Sequence, residues 1–263
     1  YKFLKSNYSP SETVGFKPSK NFKKINHKVE MLSLANAFTK EDLENFEKRI
    51  LNYLGKENSF IINYTAEPKI DGISASLTYK NGKFIKGLSR GDGKVGENIT
   101  ENLKTIDDIP KEIKAKSFPK EIDIRGEVFI ANSDFFNLRD KFANARNAAS
   151  GSLRQKNPNE TKKIPLKFLA YAFGYVDKLE IDTQFEYLNK LKEWGFKTNP
   201  LNRLICGIEN LMKNYLEIEK KRSEIDFDID GIVYKTNDFI LQKRLGNEAN
   251  SPRWVIAHKF SAI

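Results

Sequence analysis

The sequence predicts an α+β fold in which antiparallel sheets, flanked by helices, face each other across a cleft. Three observations predict it. The strand-like and helix-like stretches do not alternate as regular βαβ units, which argues against a parallel sheet. Two alternating runs, residues 73–79 and 83–89, flank Asn81-Gly82, whose residues tolerate the positive φ of a tight hairpin turn. Residues 122–130 alternate cleanly, with Ile122, Ile124, Val128 and Ile130 on one face beside Gly126, and Asp123, Arg125, Glu127 and Phe129 off it.

Along the chain, residues 1–30 are polar and irregular, with Pro10, Gly15 and Pro18, and read as an extended arm ahead of a core spanning 31–263. Thr39-Lys-Glu-Asp42 has the form of a capping box with Asp in the usual Glu position. Leu43, Phe46, Ile50 and Leu54 then recur at helical spacing up to Gly55. After the hairpin and the 122–130 strand comes an aromatic-rich strand over 167–175. A helix over 184–194 stops at Gly195. A second, over 208–223, buries Leu211, Met212, Tyr215 and Leu216. Strands over 228–235 and 254–260 close the core.

Composition narrows the classes. A 263-residue chain with 19 Phe and 10 Tyr can fill a substantial core. No apolar run approaches the roughly 18–20 residues that span a membrane. The single cysteine, Cys206, excludes an internal disulfide framework or cysteine zinc cluster, points to a reducing, cytoplasmic setting, and reads as buried packing. The net charge of +10 favours polyanionic partners, although a surplus of solvated lysines explains it as well.

The chemistry centres on Glu67-Pro-Lys69-Ile-Asp71-Gly72. Alternation sets Lys69 and Asp71 on one face of an extended segment. A lysine attacks phosphorus only as the neutral amine, and its ordinary pKa of about 10.4 falls when the group is desolvated or set beside other cations. Alone, Lys-x-Asp-Gly is equally a surface lysine before a turn. It gains meaning from five motifs downstream of it. These are Ser89-Arg90-Gly-Asp-Gly93, Arg125-Gly-Glu127, Asn144-Ala-Arg146-Asn-Ala-Ala-Ser-Gly-Ser-Leu-Arg154-Gln155, Asp230-Gly-Ile-Val-Tyr-Lys235, and Trp254-Val-Ile-Ala-His-Lys259-Phe260.

In that order these motifs resemble the adenylation domain of NAD-dependent bacterial DNA ligases, within the covalent nucleotidyltransferase superfamily. The likeness runs from about Ser9 to the end of the chain. Met31-Leu-Ser33-Leu34-Ala-Asn-Ala-Phe38, Arg90-Gly-Asp-Gly and the 146–155 segment resemble the NAD-using branch in particular. The resemblance implies the ligase and capping-enzyme fold, with a nucleotide cleft between its sheets. It implies that Lys69 attacks the α-phosphorus of NAD⁺, expels nicotinamide mononucleotide and carries AMP, so that nicks in duplex DNA are sealed during replication and repair. Lys235 and Lys259 would steady the charge at the phosphate and Asp71 would orient Lys69 or the ribose. Arg90 would bind ribose or phosphate, and Glu127 a ribose hydroxyl or a magnesium-bound water. Tyr171 would stack on adenine, with Glu67 at its edge and Ser33-Leu34 at its face. Arg146, Arg154 and Arg222 resemble phosphate-binding arginines. Mg²⁺ is expected through the phosphates rather than through protein ligands of its own.

Pro68, Ala35, Ala145 and His258 depart from the family pattern, and Pro68 bears on the geometry just before Lys69. The resemblance also implies segments outside this sequence. Upstream lies a helical element that reads nicotinamide. Downstream lie an OB-fold, a four-cysteine zinc finger holding the only zinc, a helix-hairpin-helix array and a BRCT domain. The chain is accordingly expected to be a monomer, associated with nicked DNA in the bacterial cytoplasm and nucleoid, to bind adenine nucleotides but react slowly or not at all with NAD⁺, and not to seal nicks by itself. Two rival readings are an ATP- or GTP-dependent RNA ligase or capping-type enzyme, which would lack the 31–38 and 146–155 segments, and a non-catalytic basic nucleic-acid-binding module, which leaves Lys-x-Asp-Gly unexplained.

Overall fold

The computed structural model describes residues 22–261, so most of the expected arm lies outside the described residues. Strands β1 (Lys24–Asn26) and β2 (Ala35–Ala37) lead into helix α1 (Lys40–Leu54). Thr39 caps α1 reciprocally: its hydroxyl accepts from Asp42 N–H at 3.1 Å and the Asp42 carboxylate accepts from Thr39 N–H at 3.0 Å. Strands β3 (Asn63–Ile70), β4 (Ile73–Lys80), β5 (Lys83–Ser89) and β6 (Val95–Glu97) come next, then α2 (Thr100–Leu103) and β7 (Glu121–Ile130). Helices α3 (Asn132–Phe135), α4 (Ala145–Leu153) and α5 (Pro158–Lys162) precede β8 (Leu166–Val176). The remainder is α6 (Gln184–Glu193), β9 (Arg203–Cys206), α7 (Ile208–Lys221), β10 (Ile229–Thr236), α8 (Phe239–Leu245), β11 (Asn247–Glu248), β12 (Ser251–Pro252) and β13 (Val255–Lys259).

Two main sheets result. One has the order β2-β13-β10-β3-β9 and the other β5-β4-β7-β8. Every pairing within them is antiparallel except β13 with β2. The β4–β5 hairpin turns at Asn81-Gly82, both at positive φ, as the sequence predicts.

Each sheet buries one face under helices. In the five-stranded sheet Tyr64, Ala66, Ile232, Tyr234 and Ile256 pack on α1 (Leu43, Phe46, Ile50) and α7 (Leu211, Tyr215, Ile218). In the four-stranded sheet Leu77, Tyr79, Ile122, Ile124, Val128 and Phe168 pack on Ala148, Ala149 and Leu153 of α4 and on Tyr187, Leu188 and Leu191 of α6. Each buried Leu, Ile, Val or Phe side chain among these stabilises the fold by roughly 1.5–3 kcal/mol. Because side chains alternate, burying those faces leaves Thr65, Glu67, Lys69, Val233, Lys235, Ala257 and Lys259 on the other side of the first sheet. Ser74, Arg125, Glu127 and Tyr171 are left on the other side of the second. The two polar faces meet: Lys235 on β10 donates to the carbonyl of Tyr171 on β8 at 3.1 Å. Ile70, Phe129, Leu169 and Phe227 form a small apolar seam between the sheets, which accounts for Phe129 standing on the polar face of β7.

Two expectations are corrected. Cys206 is exposed, because it ends β9, an edge strand paired on one side only. Leu216 on α7 is 58% exposed, because the stripe that meets the sheet is Leu211, Tyr215 and Ile218. The short elements β1, β2, β6, β9, α2, α3 and α5 carry too few residues to show a period, and the buried face of α4 is built largely of Ala and Ser, which give little hydrophobic contrast. No helix among the described residues is long and apolar enough to cross a membrane.

Candidate active site

Lys69 is the penultimate residue of β3, and the next turn brings the chain against β7. A Cβ on Gly72 would stand 2.3 Å from the Val128 carbonyl oxygen and 2.9 Å from Glu127 Cγ, so only glycine allows this approach. The Lys-x-Asp-Gly spacing therefore sets the Lys69 amine beside the buried Glu127 carboxyl. Lys69 and Glu127 line one cavity of about 160 Å³ with Asp71, Arg90, Glu97, Arg146 and Arg154.

Across β10, register does the rest. Gly231 pairs with Lys69 on one side and Lys259 on the other, so no side chain separates the two lysines. Asp230 is the extra residue where the β10–β3 register shifts between Ile229 and Gly231. The bulge re-aims its carboxylate, and Oδ2 accepts from Lys69 Nζ at 3.3 Å and from Lys259 Nζ at 2.7 Å. Lys69 thus meets Asp230, whereas Asp71 is held by Arg146 Nη1 at 3.0 Å.

Lys235 anchors a second, drier network. Its Nζ lies 3.0 Å from Glu67 Oε1, with side-chain exposures of 9% and 6%. It also sits 5.4 Å from the Tyr171 ring centre. Glu67 Oε2 accepts further from the Thr65 hydroxyl at 2.7 Å and from Gln184 Nε2 at 3.2 Å, and Gln184 also donates to the Tyr171 carbonyl at 2.8 Å. A buried carboxylate so fully matched is held in one position. Leu34 packs beside it on Val233, Val255 and Ala257, forming an apolar wall next to the charged groups.

Glu127 accepts from the Ser74 hydroxyl at 3.0 Å and faces the Tyr171 hydroxyl at 3.4 Å. Burial pushes its pKa up to about 7, with Lys69 and Arg146 pulling the other way. Burial also raises the Tyr171 phenol far above its usual range, so it stays a proton donor. Arg90 donates to the Ser33 hydroxyl at 3.1 Å, and Arg154 Nε stands 3.4 Å from Glu97. Arg222 is not among the cavity's lining residues; its guanidinium lies over the Phe260 ring at 5.1 Å. His258 stacks on Tyr215 at 3.9 Å and 18°, occupying an aromatic position behind Lys259.

The structure thus gathers Lys69, Glu127, Arg90, Arg146 and Arg154 at one cavity, ties Lys259 to it through Asp230, and sets Lys235, Glu67 and Tyr171 in the adjoining network. Asp230, Ser74, Gln184, Thr65 and Glu97 escaped the sequence reading. Asp230 lay inside a quoted motif, yet a strand alternation that ignores the bulge gives no reason to aim it at Lys69. Gln184 resembles any residue in a helix's first turn.

The family model of the NAD-dependent DNA ligase adenylation domain matches residues 19–263. A DNA ligase of Pelagibacter ubique (strain HTCC1062) is 68% identical over 262 residues, covering 100% of this chain and 39% of that protein. A DNA ligase of Parvibaculum lavamentivorans is 47% identical, covering 97% of this chain and 37% of that protein. The chain thus spans about two fifths of the length of the curated relatives it matches. A putative ATP-dependent DNA ligase from Aquifex aeolicus superposes with a TM-score of 0.47 at 13% identity, covering 88% of this chain and 49% of that one.

Proposed function

The chain belongs to the family of NAD-dependent DNA ligase adenylation domains, and from that membership we propose that it takes AMP from NAD⁺ onto Lys69 for transfer to nicked DNA. The observation that carries this reading is the pairing of Lys69 and Lys259 on one carboxylate at the edge of a cavity rich in cations. In the reaction the Lys69 amine, having lost its proton, forms an N–P bond to the α-phosphorus. The P–O bond to the nicotinamide mononucleotide phosphate breaks, and that phosphate leaves with the electron pair.

The chain's own groups divide the work. Asp230 holds Lys69 and Lys259 close together, and is the carboxylate nearest the Lys69 proton among the described residues. An incoming phosphate competes with Asp230 for Lys259, which then stabilises the charge building on the phosphoryl oxygens. Such a preorganised donor contributes on the order of 3 kcal/mol. The Lys235–Glu67–Gln184 network with Tyr171 and Leu34 supplies a rigid, partly apolar wall suited to a purine. Arg90, Arg146 and Arg154 favour phosphate at the far side of the cavity.

Magnesium fits only in a restricted way. No group of three His, Cys, Asp or Glu among the described residues could cage a metal ion, so the ion would be held largely by phosphate oxygens and water. Glu127, buried beside the cavity, is the carboxyl placed to orient that water. When bound, the ion would neutralise phosphate charge.

Intact-mass analysis of the chain incubated with NAD⁺ and Mg²⁺ tests the reading. The expected result is a time-dependent gain of one AMP, mapped to Lys69 and absent in Lys69→Ala. An adduct from ATP but not NAD⁺ would transfer the protein to the ATP-using relatives. An adduct on any other residue would refute the assignment of the nucleophile.

A further inference from the structure

Arg125 takes no part in the proposed adenylation chemistry, yet its guanidinium is placed with care. It leaves β7 on the same face as Glu127, and it forms no salt bridge among the described residues. Instead both terminal nitrogens donate to backbone: Nη2 to the carbonyl of Val29, and Nη1 to that of Glu30 at 3.3 Å. The slot for it is built into β8, where a Cβ on Gly174 would stand 2.7 Å from Arg125 Nη2. A guanidinium without a carboxylate partner is expensive to shield from water. Its five fixed donors nevertheless suit it to gripping two successive carbonyls, which an ammonium cannot do in one geometry.

What Arg125 grips is a strap, residues 27–33, that crosses from one sheet to the other. At one end His27 N–H donates to the Lys94 carbonyl at 2.9 Å and His27 Nε2 meets the Arg90 carbonyl at 3.1 Å. In the middle Met31 N–H donates to the Gly93 carbonyl at 2.9 Å. A Cβ on Gly93 would stand 2.6 Å from the Met31 oxygen. At the other end Ser33 N–H donates to the Asn250 carbonyl at 3.1 Å, and the chain enters β2 beside β13. Arg90 lies along the strap, its Nε 3.5 Å from the Met31 carbonyl and its Nη2 3.1 Å from the Ser33 hydroxyl. Two of the three sequence segments that resemble the NAD-using branch, 31–38 and 90–93, are therefore one hydrogen-bonded unit, and Arg125 ties it to the strand that carries Glu127.

We propose that Arg125 is a positioning residue: by holding the Val29 and Glu30 carbonyls it fixes the strap, and through the strap it sets Arg90 and Ser33-Leu34 for the nucleotide. The inference rests on the proposed function, because that reading assigns nucleotide contact to Arg90 and Leu34. It implies a defect in affinity rather than in the bond-making step, since among the described residues the side chains of Lys69, Asp230 and Lys259 bond one another and not the strap.

The test compares Arg125→Gln and Arg125→Lys with the unaltered chain by hydrogen exchange, AMP titration and adenylation at saturating NAD⁺. In Arg125→Gln the Met31 and Ser33 amides should lose protection while Ile124 and Val128 in β7 keep theirs. AMP affinity should fall about tenfold, equivalent to ~1.4 kcal/mol, with the rate at saturating NAD⁺ unchanged. Arg125→Lys keeps the charge but not the two-carbonyl grip, and should recover only part of the affinity. Unchanged strap protection overturns the proposal, as does a lower rate at saturation with unaltered affinity. If the unaltered chain neither binds AMP nor forms the adduct, the nucleotide reading fails, and strap protection in Arg125→Gln still decides whether Arg125 holds the strap.

Discussion

Replacing Lys235 by Met should cost far more stability than removing Lys69. Lys235 and Glu67 are 3.0 Å apart with 9% and 6% of their side chains exposed, so water screens neither. Losing the ammonium strands the Glu67 carboxylate with only the Thr65 hydroxyl and the Gln184 amide as donors. Breaking a buried pair from one side costs about 3–5 kcal/mol, because the remaining charge is uncompensated. For a chain of this size that is a fall in Tm of roughly 10 °C. Lys69 and Asp230 are each about one third exposed at 3.3 Å, so Lys69→Ala should stay within ~1 kcal/mol of the parent. Urea denaturation of the parent, Lys69→Ala, Lys235→Met and the double variant Glu67→Gln/Lys235→Met reads all of this. The double variant should regain most of the loss, since no buried charge is left unpaired. The reasoning fails if Lys235→Met unfolds at the parent's midpoint, or if the double variant is no more stable than Lys235→Met.

Glu127 predicts a pH dependence. Its carboxyl is raised from 4.5 to about 7 by burial, so over that window the folded state keeps a proton that the unfolded state releases. Stability should therefore fall as pH rises from about 4.5 to about 7, by roughly 3 kcal/mol in all. Glu127→Gln should flatten that slope in denaturation curves taken at several pH values, and an unaltered slope would contradict it. Asp230→Asn should shift Tm by only a few degrees, since the group is a third exposed, yet slow Lys69 adenylation on the order of a hundredfold by loosening two lysines together. Intact-mass kinetics check this, and an unchanged rate would remove Asp230 from the site. Gly126→Ala should destabilise by about 1–3 kcal/mol or more, because its Cβ would stand 2.3 Å from Phe168 Cζ and 2.4 Å from the Leu169 oxygen. A thermal melt equal to the parent's would show that β7 and β8 can separate freely.

The alternation of β7, the capping box of α1 and the Asn81-Gly82 hairpin were legible in the sequence because each is a short-range property, and the motifs from Lys69 to Lys259 were legible through their order and resemblance to a known family. Period, capping and turn chemistry act between residues a few positions apart, and alternation alone brings Lys69, Lys235 and Lys259 to the polar face of their strands. The bulge that aims Asp230 at two lysines, the grip of Gln184 on Glu67, the solvent position of Cys206 and the strap held by Arg125 were not legible. Lys69 meets a carboxylate 161 residues away, Glu67 an amide 117 away, and Arg125 carbonyls 95 and 96 away. Such contacts depend on which strands pair, in what register and where the register slips. Those are settled by the packing of the two cores as a whole rather than by any window of residues.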